Sequence, residues 1–306
     1  ISRIDRMKRF LRPGDHRDVW DMGGARDNFS TSGDVDYLLN HKRVKGIGGT
    51  TLHWAGYTPR YHEKDFEMRS RYGLAADWPI TYADLQPFYA EAEKELGVAG
   101  AEDNPFAPPR DTPYPLPAFP GGPTDVLFND ACNELGITMH TAPQARNSEG
   151  YDGRGKCVGY STCSPVCPSL AKYSGDVHIR KAMGEGVRVI DRAPVQRMET
   201  DVNGTTVTGA VYNTPDANDH TQKARYFVVA AGGVETPRLL LLSKSGNHPE
   251  GLANSSGLVG KYFMDHPTTS VSGLIEKPPD QEPIWWRSYE SHQHYDHDDV
   301  RPGSFK

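Results

Sequence analysis

An α/β chain, α+β in overall layout, is what these 306 residues predict, and three features carry that expectation. Residues 81–97 have the end signals and apolar spacing of an amphipathic helix. Asn203-Gly204 separates two β-rich runs, as a hairpin requires. A further β-rich run, Tyr226–Ala231, leads directly into Gly232-Gly233 and a Leu-rich helical stretch. The composition is that of a globular chain, with 36% hydrophobic residues, 34 Lys+Arg against 40 Asp+Glu, and a net charge of −6. Its 31 Gly and 24 Pro favour turns and long excursions over long helices. No apolar run approaches the ~20 residues of a membrane span. No basic excess is present to hold a phosphate backbone. The expectation is therefore no direct membrane span and no nucleic-acid partner.

Taken in order, residues 1–45 are polar, Gly-punctuated and without a period, and read as loop with short helical pieces. The chain opens Ile1-Ser2-Arg3, and neither a cleavable apolar segment nor a twin-Arg signal is legible. After Asp77-Trp78-Pro79-Ile80, Thr81 and Asp84 form a capping box. Leu85, Phe88, Tyr89, Ala92 and Leu96 then make one helical stripe ending at Gly97. Eight prolines between Asn104 and Pro123 forbid helix and central strand and require an ordered or extended crossing. A second helix starts at Thr124 and ends near Leu135-Gly136. Residues 150–175 are Gly-rich, carry cysteines and follow neither period, so they read as a loop held by something other than its own apolar burial. Val187–Ile190 reads as a strand, Val195–Thr200 and Thr205–Tyr212 as the hairpin arms, and Tyr226–Ala231 as a buried strand. Pro237 and Leu239–Leu242 give a helix to about Ser245. Strand, Gly-Gly, helix is the geometry of a nucleotide-binding sheet, because glycine lets backbone approach a ligand and a helix N-terminus favours phosphate.

Two segments carry chemistry. In Gly46-Ile-Gly48-Gly49-Thr50-Thr51-Leu52-His53-Trp54-Ala55-Gly56, a Gly-Gly pair and two hydroxyls offer donors to a phosphate or a ring edge, while an imidazole and an indole suit a planar cofactor. Cys157-x5-Cys163-x3-Cys167-Pro168 supplies three thiols from one loop. Three is one short of a structural zinc site unless a His or the distant Cys132 completes it. An iron–sulfur cluster with three cysteine ligands fits the count, with free thiols, a disulfide or zinc as the other readings. Cys132 reads as a small buried hydrophobe on the second helix. His292-Gln-His294-Tyr-Asp296-His297-Asp298-Asp299 alternates His and carboxylate and could be drawn as a metal site, but its spacing fits no closed motif and it reads as a solvated loop.

Gly46–Gly56 and Gly232–Gly246, in that order and at that separation, resemble the two signatures of the glucose–methanol–choline (GMC) family of FAD-dependent oxidoreductases. Asp77–Leu85 and Asn254–Pro267 extend the similarity, which runs to about residue 275. Asn147–Arg154, the cysteines and Tyr173–His178 are similar to the branch containing glucose, gluconate and fructose dehydrogenase flavoproteins. The resemblance implies a Rossmann-like FAD-binding sheet, incomplete here, with an interleaved substrate domain. Residues 1–60 then belong to the FAD domain, 61–180 to a substrate-domain and cluster-loop insertion, 181–275 to the FAD domain continued, and 276–306 to the start of a substrate-binding domain.

It implies FAD held by Gly48, Gly49, Thr50, Thr51, His53 and Trp54 around the flavin, and by Val195, Ala231 and Gly232 on the adenosine side. A 3Fe–4S cluster falls on Cys157, Cys163 and Cys167. Asp265 and His266 tie sheet to substrate domain rather than perform chemistry. In related pyranose oxidases a His-Trp pair at this spacing carries the flavin covalently through the imidazole, and for His53 covalent and non-covalent roles both stay open.

The implied reaction is oxidation of a sugar, polyol or sugar-acid CH–OH. A substrate-facing His takes the hydroxyl proton, hydride passes to the flavin, and electrons leave through the cluster to a cytochrome c subunit or a quinone. That His is expected beyond the C-terminus, and the family's opening Gly-x-Gly-x-x-Gly unit before residue 1, so no catalytic residue is assigned here. A small chaperone-like subunit accompanies the resembling dehydrogenases, which favours a periplasmic or membrane-associated place over a cytoplasmic one. A pyranose-oxidase-like sugar oxidase without a cluster, and a non-catalytic metal-binding module with a decayed flavin fold, are the alternative readings.

Overall fold

A computed structural model describes Val44, residues 46–160, Cys163, residues 167–265, Thr269, Val271, Gly273 and residues 288–295. The readings of residues 1–43, of His266 and of Asp296–Asp299 lie outside the described residues. Among these, the helices are α1 (Met68–Tyr72), α2 (Tyr82–Leu96), α3 (Pro123–Glu134), α4 (Asp176–Gly184) and α5 (Gly232–Leu242). The strands are β1 (Ala99–Gly100), β2 (Leu116–Pro117), β3 (His140–Thr141), β4 (Val195–Thr200), β5 (Val207–Asn213), β6 (Asp219–Gln222) and β7 (Tyr289–Glu290). Helices and small sheets alternate, as the α/β expectation required. The chain divides into two compact units, residues 1–187 with 276–306, and residues 188–275. No helix among the described residues is long and apolar enough to cross a membrane.

In the first unit, α2 begins where the capping box places it. Thr81 Oγ1 accepts from Asp84 N–H, and the Asp84 carboxylate accepts from Thr81 N–H at 2.8 Å. The helix closes at Gly97. Its inward face, however, is rotated from the apolar stripe: Phe88 is 62% exposed and Ala92 is exposed, whereas Tyr82 and Glu93 are buried. The cause is a charge. Arg60 holds Glu93 through Nε–Oε1 at 2.8 Å and Nη2–Oε2 at 2.9 Å, and Arg110 adds Nη2–Oε2 at 2.7 Å. Two guanidiniums at the interior need the carboxylate there, and this outweighs burying Phe88. The same contacts order the proline-rich crossing, since Tyr82 donates to Pro109 C=O and Arg110 lies 3.6 Å over the Tyr114 ring.

The helix leads into β1, which pairs in parallel with β2 from the proline-rich crossing. On its other side Ala99 exchanges hydrogen bonds with Gln144 at 2.8 and 2.9 Å. Two apolar clusters flank this point, Val98, Ala145 and Tyr173 in one and Ala99, Leu116, Phe119, Cys157 and Ala171 in the other. β3 pairs antiparallel with β7, His140 opposite Glu290. Cys132 is buried on α3, as a small apolar residue should be.

In the second unit, β4, β5 and β6 form an antiparallel sheet in that order. Asp201 caps the hairpin turn by accepting from Thr205 and Thr206 N–H at 2.8 and 3.0 Å, so the second arm starts at Val207 instead of Thr205. α5 packs on β4, where Ser243 Oγ accepts from Met198 N–H at 2.9 Å and donates to Leu239 C=O at 2.7 Å. Ser243 thus ends the helix at Leu242, short of the expected Ser245. Two expected strands do not form. Residues 187–190 and 226–231 are irregular, with Tyr226 75% and Val228 89% exposed. β-propensity makes a strand only where a neighbour takes its N–H and C=O groups, and among the described residues neither segment has one.

Burial pushes the Glu93 carboxyl up, but hydrogen bonds from Arg60 and Arg110 outweigh it, so Glu93 ionises below its ordinary value. A depressed folded value means the contribution is complete above the unfolded pKa of about 4.3 and is lost as pH falls through the folded one. Glu93→Gln leaves two buried guanidiniums uncompensated and is expected to cost about 3–5 kcal/mol in denaturant unfolding. Its unfolding should also show less acid dependence below pH ~5 than wild type.

Candidate cofactor loop and cysteine cluster

The Gly46–Gly56 loop folds on itself and onto the start of α4. Gly49 N–H donates to Gly46 C=O at 2.9 Å. Residues Gly49–Leu52 then form a single 3-10 turn. The two central glycines do different work. Gly48, at φ +97°, packs so closely that a Cβ would stand 3.1 Å from Asp176 N and 3.0 Å from Leu52 Cδ2. Gly49, at φ +56°, has open space where a Cβ would project. The first admits the neighbouring backbone, and the second leaves room for a ligand. Thr51 clasps the arrangement, its hydroxyl donating to Gly48 C=O and accepting from Gly175 N–H at 2.7 Å. Thr50 is exposed and its Oγ1 accepts from Val44 N–H at 3.4 Å. Trp54 donates its indole N–H to Tyr173 C=O at 2.8 Å and meets the Tyr173 ring edge to face. Burial, and then the charge of Lys172, hold His53 below the ordinary imidazole value. Its ring is therefore neutral at pH 7.

Lys172 joins this loop to the cysteines. Its buried ammonium donates to Leu52 C=O at 3.1 Å, Trp54 C=O at 2.7 Å and Cys163 C=O at 2.7 Å. Among its described residues the cysteine loop has no regular structure, as expected, and polar side chains hold it. Asn147, fully buried, donates its amide to the carbonyls of Tyr151 and Arg154, while its own C=O accepts from Cys157 N–H at 2.8 Å. Arg154 reaches Leu96 C=O at 2.8 Å and Ala171 C=O at 3.2 Å. Arg146 lies 4.0 Å over the Phe119 ring and donates to Cys163 Sγ at 3.4 Å.

Cys157 and Cys163 are buried and Cys167 is half-buried. Burial raises the Cys157 thiol, with Gly159 N–H and Arg146 opposing. At Cys167 burial also acts upward, but Ser169 and the N–H groups of Lys172, Ala171 and Ser169 outweigh it, and the thiol falls below its ordinary value. An ammonium and a guanidinium beside three soft donors suit an anionic thiolate-bound cluster, whose negative charge they offset. In this chemistry the donor set fits the group.

In the second unit, Val195 opens β4 opposite Tyr212 and is 42% exposed. Ala231 caps α5, its N–H donating to Thr236 Oγ1 at 3.1 Å. Gly232 follows at φ +83°, and a Cβ there or on Gly233 would meet nothing within 4 Å. The first turn of α5 can thus admit a ligand against its N–H groups. Lys172, Arg146 and Asn147 stand beside the candidate residues and were not singled out from the sequence. No period or motif marks a single buried cation, and only their places beside the cysteine and Tyr173 segments could have pointed to them.

A glycine-rich loop that leaves space for a ligand, locked to a cysteine loop, places the chain among α/β cofactor proteins. Comparison with known proteins gives the particular group. The GMC oxidoreductase family pattern matches residues 120–268. The chain is 42% identical over 244 residues to the fructose dehydrogenase large subunit of Gluconobacter japonicus, covering 79% of this chain and 44% of that protein. It is 34% identical over 258 residues to 2-methyl-1,2-propanediol dehydrogenase of Mycolicibacterium austroafricanum, covering 82% and 45%. It is 26% identical over 272 residues to the gluconate 2-dehydrogenase flavoprotein of Pantoea cypripedii, covering 78% and 44%. The chain belongs to the GMC oxidoreductase family. It spans somewhat under half the length of the curated relatives it matches.

Lys172→Met removes the donor from three carbonyls, one buried and two half-buried, and is expected to cost about 3 kcal/mol at roughly 1 kcal/mol per lost partner. Hydrogen exchange should accelerate at Gly49–Trp54 and around Cys163 together. Unchanged protection at either segment would show that the ammonium does not couple them. Lys172→Arg should not restore it, because a planar fork cannot point at three carbonyls held for a compact ammonium.

Proposed function

We propose that the protein is an FAD-dependent dehydrogenase that oxidises the CH–OH group of a sugar, polyol or sugar acid. Electrons leave through a 3Fe–4S cluster on Cys157, Cys163 and Cys167 toward a cytochrome c subunit or a quinone. The observation that carries this reading is the joint hold of Lys172 on the carbonyls of Leu52, Trp54 and Cys163. A loop assigned to the flavin and a loop assigned to the cluster are fixed by one cation, which suits electron transfer between them. The names of the relatives support the substrate class, since they act on fructose, gluconate and a diol. "Large subunit" and "flavoprotein" in those names support partner subunits, here a cytochrome c and a small chaperone-like protein.

FAD, when bound, supplies the hydride acceptor. Around it this chain contributes position and charge. Gly48, Gly49, Thr50 and Thr51 would hold the flavin, Gly49 through its open side and Gly48 by fixing the loop against α4, with Trp54 steadied by Tyr173. Thr51 and the Trp54 N–H are committed inside the protein, so their part is to hold the loop rather than to hydrogen-bond the ring. His53 packs as a neutral imidazole. Ala231 and Gly232 at the start of α5, with Val195 on β4, are assigned to the adenosine portion. Lys172 and Arg146 offset the charge of the thiolates. We assign no base for the hydroxyl proton to this chain.

The first test is an absorption spectrum of the whole polypeptide, with iron and acid-labile sulfide measured on the same sample. Flavin bands with about three irons per chain, lost together in Cys163→Ser, are expected. Flavin without iron after anaerobic preparation would remove the cluster and put a pyranose-oxidase-like oxidase in its place. Zinc without flavin would favour a metal-binding module. For His53, acid precipitation is expected to release the flavin, and flavin that stays on the wild-type pellet but not on His53→Ala would show a covalent link instead.

A further inference from the structure

His140, Glu290 and His292 stand apart from the cofactor loop, where β3 meets β7. His140 lies opposite Glu290 in the antiparallel register. His292 follows two residues later, just past the end of β7, and its ring meets that of His140 edge to face. One donor atom from each of the three lies within 4.8 Å of the others. His292 Nε2 and Glu290 Oε1 are 3.3 Å apart. That is the edge, about 3.3 Å, of a tetrahedron with metal–ligand bonds of about 2.0–2.1 Å. The solvated loop expected for the tail is overturned at His292, which is 8% exposed, because β7 draws it against His140.

His140 points to what the cluster holds. It is 2% exposed, and its Nδ1 lies 3.1 Å from Thr141 C=O, which fixes the proton on that nitrogen. Nε2 is then a bare lone pair, buried and with no hydrogen-bond partner among the described residues. A deeply buried acceptor with no donor is costly. A backbone carbonyl that orients the far nitrogen of an imidazole is the usual outer support of a metal-bound histidine. Glu290 Oε1 is likewise buried and receives no well-directed hydrogen bond.

We propose that His140 Nε2, His292 Nε2 and Glu290 Oε1 bind a divalent transition cation of the zinc class. Two imidazoles and one carboxylate select such an ion over magnesium or calcium. Three protein ligands leave a fourth position for water. Tyr57 OH, 3.4 Å from His292 Nε2 and hydrogen-bonded to Glu290, borders the same three donors. Asn104 and His292 also line a cavity of about 210 Å³, which gives the ion a way in. Bound there, the cation pins β3 to a strand that follows it by about 150 residues.

Asn104 sets the affinity. Its Nδ2 lies 3.0 Å from His292 Nδ1, while its Oδ1 accepts from Phe106 N–H at 2.9 Å. In that arrangement the His292 proton sits on Nε2. Binding moves this proton to Nδ1 through solvent, with no net gain or loss, and the Asn104 amide must turn over to accept it, giving up Phe106. Asn104→Asp removes the conflict, since its two oxygens can accept from Phe106 N–H and His292 Nδ1–H at once.

The test titrates Zn²⁺ into the metal-stripped whole protein against a chelating indicator and records the zinc X-ray absorption of the one-to-one sample. The expected result is one Zn²⁺ with nitrogen and oxygen ligands at about 2.0–2.1 Å and no sulfur at about 2.3 Å. His140→Gln should weaken binding at least ~10-fold and abolish the rise in Tm that Zn²⁺ gives the wild type. Asn104→Asp, which leaves every ligand in place, should tighten it ~10-fold, and decides the matter if His140→Gln does not fold. A sulfur shell, which would put the ion on the cysteines, overturns the proposal. So does an affinity that neither variant moves, or no binding at all.

Discussion

A single ammonium holds the centre of the first unit. Lys172 is 4% exposed, and its charge is met by three main-chain carbonyls. Burial lowers its pKa, and Cys163 and Cys167 push the other way. Taking an ammonium out of water costs several kcal/mol, which three charge-assisted hydrogen bonds of about 1.5–3 kcal/mol each can offset. Those bonds exist only if Leu52, Trp54 and Cys163 all present their oxygens to one point. The cost of burying the charge is therefore also what makes the geometry specific. The Lys172 N–H, 3.5 Å from Cys167 Sγ, adds a second cysteine to the same residue.

The rest of the loop follows the same rule. Beside the apolar contacts of Ala145, Cys157, Ala171 and Tyr173, the polar side chains of Asn147, Arg146 and Arg154 hold the described residues between 145 and 173. Asn147 and Arg154 satisfy carbonyls that a helix or sheet would otherwise have used, and Arg146 holds Cys163 Sγ and the Phe119 ring. Arg154 also brings its charge to Leu96, the last residue of α2, where helix carbonyls lack partners and a cation is favoured. The described parts of this loop are thus held by polar side chains without periodic structure.

This explains which parts were legible in the sequence. The start of α2 could be read to the residue, because a capping box is a local pattern, and the hairpin and α3 were local as well. The inward face of α2 could not, because it depends on Glu93 meeting Arg60 and Arg110 from elsewhere in the chain. The runs at 187–190 and 226–231 have strand composition, yet a strand is a relation between two segments and composition describes one. At the candidate site, type and spacing single out the glycine loop and the three cysteines as the proposed contacts. Lys172 was not, and neither was the pairing of His140 with Glu290, which only the register of β3 and β7 creates.

Residues 140–147 connect these centres. Ala142 N–H donates to Ser288 C=O, Gln144 exchanges bonds with Ala99, and Ala145 donates to Gly56 C=O while accepting from Tyr173 N–H. Arg146 and Asn147 then reach Cys163 and Cys157. All but Thr141 are buried. Only His140 and Thr141 count as strand, because the partners come from four different segments and not from one neighbour. Alternation of polar and apolar residues marks a strand with one wet face, and a segment enclosed on every side has none to show. Its order comes from main-chain bonds to separate segments, so its sequence is free to carry a histidine, an arginine and an asparagine.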